Sequence, residues 1–499
     1  MTSKKSLCWL PVAGNNDFLA LGGNANIFSL VDIDGDGREL FDESILLDFG
    51  NIPVYGANDF DYVVPDLDKF FPRKESGKDP AFKAILLTHY HDDHLKGIVD
   101  LLIRGRKVPP IIAPAMTFEM LDKYIKQHGF QGQYQKIVAD LNKPIKHGNW
   151  TIEAFSVSHS TVGCVGYSIE IDGHRALHLG DFKIDQTVTL GPKTDLEYLK
   201  RLGNEGAVDV LVIDSVKARQ ENNFFINDRA MKTYIDSLMK KHPDQRVVMG
   251  VYGGYLELTA MCMIAAAQKG RKVVIASQYM YDNIEAFEAC YGSFEAFLSE
   301  KAGCPIKIYK DTDPEVVHLK KKETLVLTDG NLRDEKSLLA AHLNGDERPY
   351  INLENGDVIY LSRAILQGKQ KLFSPAFDKL KQQGIDVYLS DECLLAAHGH
   401  APWSDIKKVI DLTKPKLVAP AYAMDFMLQE VFNKAADLDH KNTTIECISN
   451  GEMVEVSPAT GKRIFHLLPY WIGVKYSRYG QKKSRKSLFG LRAKNPLKL

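Results

Sequence analysis

Apolar runs along this chain are short, and several of them stop abruptly at ionisable residues. Ala84 to Leu87 breaks off into Thr88-His89-Tyr90-His91-Asp92-Asp93-His94. Beyond it Leu95, Ile98, Val99 and Leu102 recur at helical spacing, so the pattern predicts a buried strand, a polar loop and an amphipathic helix. Ile111 to Lys126 reads as a second strand-helix unit. Thr151 to His159 alternates, with Phe155 and Val157 on one face, and delivers His159 at its end. Tyr167 to Ile171, the turn Asp172-Gly173 and Ala176 to Leu179 form a predicted hairpin that runs into Gly180-Asp181-Phe182. Val208 to Ile213 is continuously apolar and stops at Asp214.

Nearer the start, Ile27 to Ile33 and Ser44 to Phe49 are predicted strands joined through Asp32-Ile33-Asp34-Gly35-Asp36-Gly37. Asp32, Asp34, Asp36, Gly37 and Glu43 also match much of a calcium loop. An EF-hand needs flanking helices and an apolar eighth residue; these flanks alternate like strands and that residue is Glu39, which favours a plain hairpin turn over an accessory calcium site.

From Arg246 the texture changes. Arg246 to Tyr252, Lys272 to Ala276, Ile306 to Tyr309, Thr324 to Leu327 and Asp357 to Leu361 are predicted strands separated by helical segments such as Glu257 to Lys269 and Lys336 to Leu343. Such alternation predicts a parallel sheet covered on both faces, in a separate α/β domain over residues 216–370. It interrupts a first domain that occupies 1–215 and 371–470. The second part contains helix Ser374 to Gln383, strand Ile385 to Leu389, the cluster Ala397-His398-Gly399-His400-Ala401, helix Ser404 to Leu412 and a hairpin around Asn450-Gly451. Residues 471–499 are a basic tail: no acid follows Ser457, while Tyr470, Trp471, Tyr476 and Tyr479 interleave with lysines and arginines. That composition fits either a solvated segment or a nucleic-acid-contacting arm.

Composition narrows the class. With 499 residues, 44% hydrophobic and 25% charged, the chain is long enough for two or three cores, and its net charge of −1 leaves nucleic-acid contact to local patches. Seven cysteines without CxxC spacing indicate a reducing compartment. The N-terminal apolar run is interrupted by Gly14-Asn15-Asn16-Asp17, and no run of about eighteen apolar residues exists, so a soluble cytoplasmic protein away from the membrane is expected.

The cluster from His89 to His94 carries the chemistry. Imidazoles and carboxylates at the end of a buried strand have no packing purpose, since hydrophobes would stabilise that end better. His89 and His91, two apart at a strand end, are expected to project to one side and grip one divalent ion, while Asp93 and His94 reach a second. Imidazole and carboxylate without thiolate suit zinc or manganese. His159 and Asp181 join them from other strand ends, and the Asp181 carboxylate can bridge two cations. His178, inside its strand, reads as a packed or supporting residue.

In their order along the chain these motifs resemble the β-CASP group of metallo-β-lactamase-fold nucleases, and within it the ribonucleases J. The likeness is carried by Gly22-Gly23 before a strand, Asp48-Phe49-Gly50, Val64-Pro65-Asp66, the run His89 to His94, His159-Ser160, Gly180-Asp181-Phe182-Lys183, Asp214-Ser215, Gly399-His400-Ala401 and Lys414-Pro415-Lys416, from about Leu19 to about Pro420. It implies an αββα sandwich with an inserted α/β β-CASP domain. It also implies two divalent ions, zinc first with manganese or magnesium as alternatives, His89, His91 and His159 holding one, Asp93 and His94 the other, and Asp181 between them. Asp214 would be the acid that opens the inserted domain, and His400 would contact the scissile phosphate or protonate the leaving group.

The implied activity is a metal-dependent ribonuclease, exonucleolytic from the 5′ end, endonucleolytic or both. It would use a metal-activated water on single-stranded RNA in processing or decay, as a homodimer or higher oligomer. The chain departs from the family in four places. Tyr422 stands where a last histidine completes the second metal, and a neutral tyrosine is a poor ligand. Water or His398 could take that place. The glycine-rich phosphate-binding segment looks like Asp329 to Asp334, leaving Gly330, Asn331 and Arg333 as phosphate or RNA contacts. An arginine-serine-methionine element looks like Gln278-Tyr279-Met280, and a serine-asparagine pair like Gly253-Gly254. A single-stranded DNA nuclease stays open, because nothing here reads a 2′-hydroxyl. So does a non-catalytic RNA-binding relative, given Tyr422. A small-molecule metallo-hydrolase is disfavoured by the inserted domain and by Asp214 with His400.

Overall fold

The computed structural model describes residues 5–15, 22–32, 43–53, 62–130, 133–221, 227–330, 337–362, 370–389, 395, 399–439, 442–455, 463–466, 471–475 and 484–487. The turn residues 33–42, Asn331, Arg333, His398, Tyr470, Tyr476 and Tyr479 lie outside them.

Two sheets face each other at the centre of the sandwich. In the first, Lys5–Ala13, Ala25–Asp32 and Ser44–Leu47 pair antiparallel, and Ala84–Leu86, Ile111–Ala113 and Lys136–Val138 continue in parallel. Glu452–Glu455 and Arg463–His466 extend its other edge. The second runs antiparallel through Ile145–His147, Trp150–Ser156, Val165–Ile171 and His174–His178, then parallel through Val210–Asp214, Leu417–Ala421 and Thr444–Ile445.

Alternation along each strand assigns side chains to layers. Trp9, Phe28 and Leu86 from one sheet meet Trp150, Tyr167 and Val212 from the other in the central layer. Leu10, Ile27 and Ile85 turn the opposite way and pack on Leu95, Ile98 and Leu102 of helix Asp92–Ile103 and on Leu121 and Ile125 of helix Ala115–Gln127. Phe155, Leu177 and Leu211 meet Tyr198, Leu202, Ile406 and Ile410 of the helices Leu196–Asn204 and Trp403–Thr413. Helix, sheet, sheet and helix therefore stack in the αββα order that the resemblance implied.

A third sheet is wholly parallel, in the order Ile308–Lys310, Lys272–Ala276, Thr324–Asp329, Val247–Val251, Val358–Leu361, Asp386–Tyr388. Its strands are buried on both faces: Val247 and Met249 belong to one cluster and Val248 to another, which is why they read as unbroken apolar runs. The sheet continues to Tyr388, past the boundary read at residue 370, because helix Gln370–Gln382 supplies the crossover that a further parallel strand needs. A small fourth sheet pairs Trp471–Lys475 with Tyr62–Pro65 and with Ser484–Ser487. Two pieces of the segment read as a basic tail are thus strands.

The parallel-sheet unit is fastened to the sandwich by buried charge. Lys183, after the strand His174–His178, reaches Asp228 at 2.9 Å and Glu257 at 2.7 Å on the helices Asp228–Lys241 and Leu256–Ala267, with Asp185 at 3.5 Å. Burying one cation among three carboxylates is tolerable only because each has a partner. Among the described residues no helix is long and apolar enough to cross a membrane.

Candidate metal centre

The strand Ala84–Leu86 ends two residues short of Thr88, so His89 and His91 sit on a loop and not at the strand end that alternation suggested. Asp92, Asp93 and His94 form the first turn of helix Asp92–Ile103, capped at His91, and not the loop expected before it. Acids are stabilised there by the unpaired N–H groups of the helix start.

What makes the rings converge is a set of outward hydrogen bonds. Thr88 Oγ1 donates to Asp48 at 2.9 Å and therefore accepts from His89 Nδ1 at 3.0 Å. His91 Nε2 donates to the Gly254 carbonyl at 3.4 Å, and His159 Nδ1 donates to the Gly399 carbonyl at 2.6 Å. Each ring thereby spends its proton on a protein acceptor and turns a bare lone pair inward. The inward nitrogens lie 3.0 Å apart between His89 and His91 and 3.1 Å apart between His159 and His91. Burial pushes all three imidazoles below their ordinary range, so they are neutral. Three lone pairs pointing at one another with no proton between them repel unless a cation sits among them. A tetrahedral ion with bonds of about 2.0–2.1 Å needs donor edges of roughly 3.3 Å, which these spacings approach.

Asp181 is the shared wall. Its Oδ2 lies 3.6 Å from His159 Nε2, 3.4 Å from His94 Nε2 and 3.8 Å from His400 Nε2, while its buried Oδ1 has no hydrogen-bond partner among the described residues. Burial opposes its charge, yet His94 and His400 hold the carboxyl well below its usual range. Potential ligand atoms fall into one group of His89, His91, His159 and Asp181 and a second of Asp93, His94 and Asp181, each within 4.8 Å, and Asp181 stands as close to the Asp214–His400 pair. In the second group Asp48, in left-handed backbone at φ 57°, accepts from His94 Nδ1 at 2.7 Å, and Asn24 Nδ2 meets His94 Nε2 at 2.8 Å. Burial opposes a charge on His94, but Asp181, Asp93 and Asp48 outweigh it and raise the ring well above its ordinary value. That pocket demands positive charge. The donor set fits divalent cations in both groups.

His400 Nδ1 donates to Asp214 at 2.8 Å, and Asp214 Oδ1 accepts the Val216 N–H at 2.9 Å. Against burial, Asp214 and Asp181 raise His400 to about 9. Tyr422, at φ 65°, is buried with its ring 5.3 Å from that of His94, and its N–H donates to Asn15 at 2.9 Å. Its hydroxyl oxygen meets His178 Nε2 at 2.7 Å, so it is occupied by protein. Gly330 stands at the carboxyl edge of the parallel sheet, its N–H donating to the Val251 carbonyl at 3.2 Å.

Sequence reasoning missed the supports: Asp48, Asn24 and the carbonyls of Gly254 and Gly399. Asp48 lay inside a quoted motif without a role, and Gly50 beside it was the available signal. A Cβ on Gly50 would strike the Asp93 backbone, so the loop and the helix start touch there.

The beta-lactamase superfamily domain, as a family, matches residues 60–242. Ribonuclease J2 of Bacillus subtilis is 24% identical over 453 residues, covering 88% of this chain and 75% of the relative. Ribonuclease J 1 of Streptococcus pyogenes is 25% identical over 438 residues, covering 86% and 73%. Ribonuclease J of Helicobacter pylori is 24% identical over 479 residues, covering 93% of this chain but 62% of its own length. A crystal structure of a protein of unknown function from Enterococcus faecalis superposes with a TM-score of 0.58 at 18% identity, covering 91% of this chain and all of that one, and shares the fold.

Proposed function

We propose that this chain, ribonuclease J-like and of metallo-β-lactamase fold, is a metal-dependent ribonuclease acting on single-stranded RNA, by 5′ exonucleolysis, endonucleolysis or both. The observation that carries this reading is the convergence of three deprotonated ring nitrogens on Asp181, with the His400–Asp214 pair alongside. His89, His91 and His159 would hold one divalent ion, Asp93 and His94 a second, and Asp181 both; zinc suits the donors, with manganese or magnesium as alternatives. When bound, such ions neutralise phosphate oxygens and acidify a water.

The protein's own groups do the rest. The outward hydrogen bonds of the three histidines fix their tautomers and keep the centre rigid before substrate arrives. Asp214 holds the His400 proton on Nδ1 and supports a charged ring, so Nε2 can donate to a leaving oxygen. The sandwich and the parallel-sheet unit meet at His91 and Gly254, and a single strand lying along that junction would bring its phosphate to the centre. We take 1–215 and the segment after Tyr388 as the sandwich domain, and the sheet from Val247 to Tyr388 as the inserted β-CASP domain. Cys8, Cys164, Cys290 and Cys304 are free thiols, which suits the cytoplasm.

Matched single-stranded RNA and DNA oligonucleotides, incubated with metal-loaded protein, test the assignment. RNA is expected to be cut faster than DNA, and chelation to stop the reaction. DNA cut as fast or faster moves the assignment to DNA; RNA that binds but is never cut makes the chain a binding protein.

A further inference from the structure

Three tyrosines crowd the inner edge of the metal centre without any part in holding it. Tyr252 and Tyr255 flank Gly253-Gly254 in the loop between the strand Val247–Val251 and helix Leu256–Ala267, and Tyr279 opens the helix that follows Lys272–Ala276. Both positions are carboxyl ends of parallel strands, separated in the sheet by Thr324–Asp329. In open parallel sheets that edge is where ligands bind.

The rings adjoin the histidine cluster and each other. Tyr255 lies 5.9 Å and Tyr252 6.4 Å from the His91 ring, both edge-on; Tyr252 is 5.0 Å from Tyr255 and 5.8 Å from Tyr279. The backbone makes room for them. A Cβ on Gly253 would come within 2.8 Å of the Tyr279 ring, and one on Gly254 within 2.8 Å of Tyr252. Tyr279 is steadied by Tyr124, whose hydroxyl donates to its oxygen at 3.0 Å.

Packing alone does not account for the cluster. Tyr252, Tyr255 and Tyr279 are only half-buried among buried neighbours, and the Tyr255 hydroxyl has no hydrogen-bond partner among the described residues. Burial, then the nearby carboxylates of Asp93 and Asp181, push its phenol up, which places it within the field of the centre. Nor does the patch offer loose positive charge: Lys96, over the Tyr124 ring, is paired with Asp92 at 2.8 Å. Half-exposed aromatic rings beside a phosphate-cleaving centre match the flat face of an unpaired base better than a phosphate group.

We propose that Tyr252, Tyr255 and Tyr279 form a stacking subsite for an unpaired nucleobase of the strand whose phosphate lies at the metal centre. The proposal rests on the nuclease reading for the identity of the strand. Such a subsite grips any base, through its π-face, and makes substrate engagement depend on a single-stranded segment more than on the charge of its 5′ end.

The test uses the full chain and short single-stranded RNAs carrying one 2-aminopurine, moved position by position, with binding and cleavage read together. Stacking is expected to quench the probe at a position next to the scissile phosphate. Tyr255→Leu and Tyr252→Leu should weaken RNA binding by about tenfold or more, in line with one stacked base, while Tyr255→Phe, which keeps the ring, should bind like the wild type. An abasic nucleotide at the quenched position should cost the wild type the same factor and cost the leucine variants nothing further. Leucine variants that bind like the wild type, or an abasic penalty identical in wild type and variants, would overturn the subsite. Quench without cleavage would remove the nuclease reading and keep the subsite; cleavage without any quench would do the reverse.

Discussion

Tyr422→Phe removes one oxygen from a position where the resemblance to ribonucleases J leads one to expect a metal-binding histidine, and the structure fixes what that costs. Gly180 N–H donates to His178 Nδ1 at 3.1 Å, so the proton of His178 is on Nε2 and donates to the Tyr422 oxygen at 2.7 Å. Burial, with His94 close by, pushes His178 down to about 3, which keeps this arrangement at any working pH. His178 is fully buried and Tyr422 nearly so. Phenylalanine would strand a buried N–H, at a cost of about 2 kcal/mol. A chain of several domains need not unfold in one step, so native-state hydrogen exchange in the strands His174–His178 and Leu417–Ala421 is the proper assay. Exchange by opening of that region should quicken by roughly thirtyfold in the single variant. Divalent-ion content should not change, because the hydroxyl is spent on His178. Unchanged exchange, or loss of an ion in Tyr422→Phe, would refute the reasoning.

Gly50→Ala should displace the start of helix Asp92–Ile103, because the new Cβ meets the Asp93 backbone; calorimetric titration is expected to show the weaker of two cation sites loosened by about tenfold or more with the histidine site kept. Lys183→Met leaves Asp228 and Asp185 buried without their cation and should make opening of helix Asp228–Lys241 easier by about 3–5 kcal/mol, read by native-state hydrogen exchange. Glu257 is raised well above its unfolded value near 4.5, first by burial and then, against Lys183, by Asp228. Its proton therefore contributes stability that is complete below the unfolded value and lost as pH rises through the native one. Glu257→Gln stays uncharged, so the melting temperature should fall less between pH 5 and pH 8 than in the wild type. Asp214→Asn should lower kcat by about a hundredfold with ion content intact, since it releases the His400 tautomer.

The histidine cluster was legible because an apolar run broke off into groups no core would accept, and Asp181 and Asp214 were legible for the same reason. The parallel sheet followed from the alternation of strands and helices. What failed was local geometry inferred from period alone. His89 and His91 lie past the end of their strand, and their rings meet through hydrogen bonds to Thr88, itself held by Asp48, and to Gly254, so the arrangement depends on partners far away in sequence. Asp93 and His94 belong to the helix start that acids favour, and not to the loop that the apolar pattern predicts. The role of Asp48 requires Ser44–Leu47 to pair with Ala84–Leu86, a register no local pattern specifies. Gly253-Gly254 and Gln278-Tyr279-Met280 looked like separate departures from a family; folding shows them to be one feature, two glycines making room for tyrosine rings.

The account rests on one carboxylate serving two cation sites, and counting ions on Asp181→Ala tests it most directly. Elemental analysis of purified, dialysed protein should find two divalent ions per wild-type chain. In Asp181→Ala that number should fall, with RNA cleavage lost. An Asp181→Ala protein that keeps two ions and cuts RNA at the wild-type rate would contradict the account.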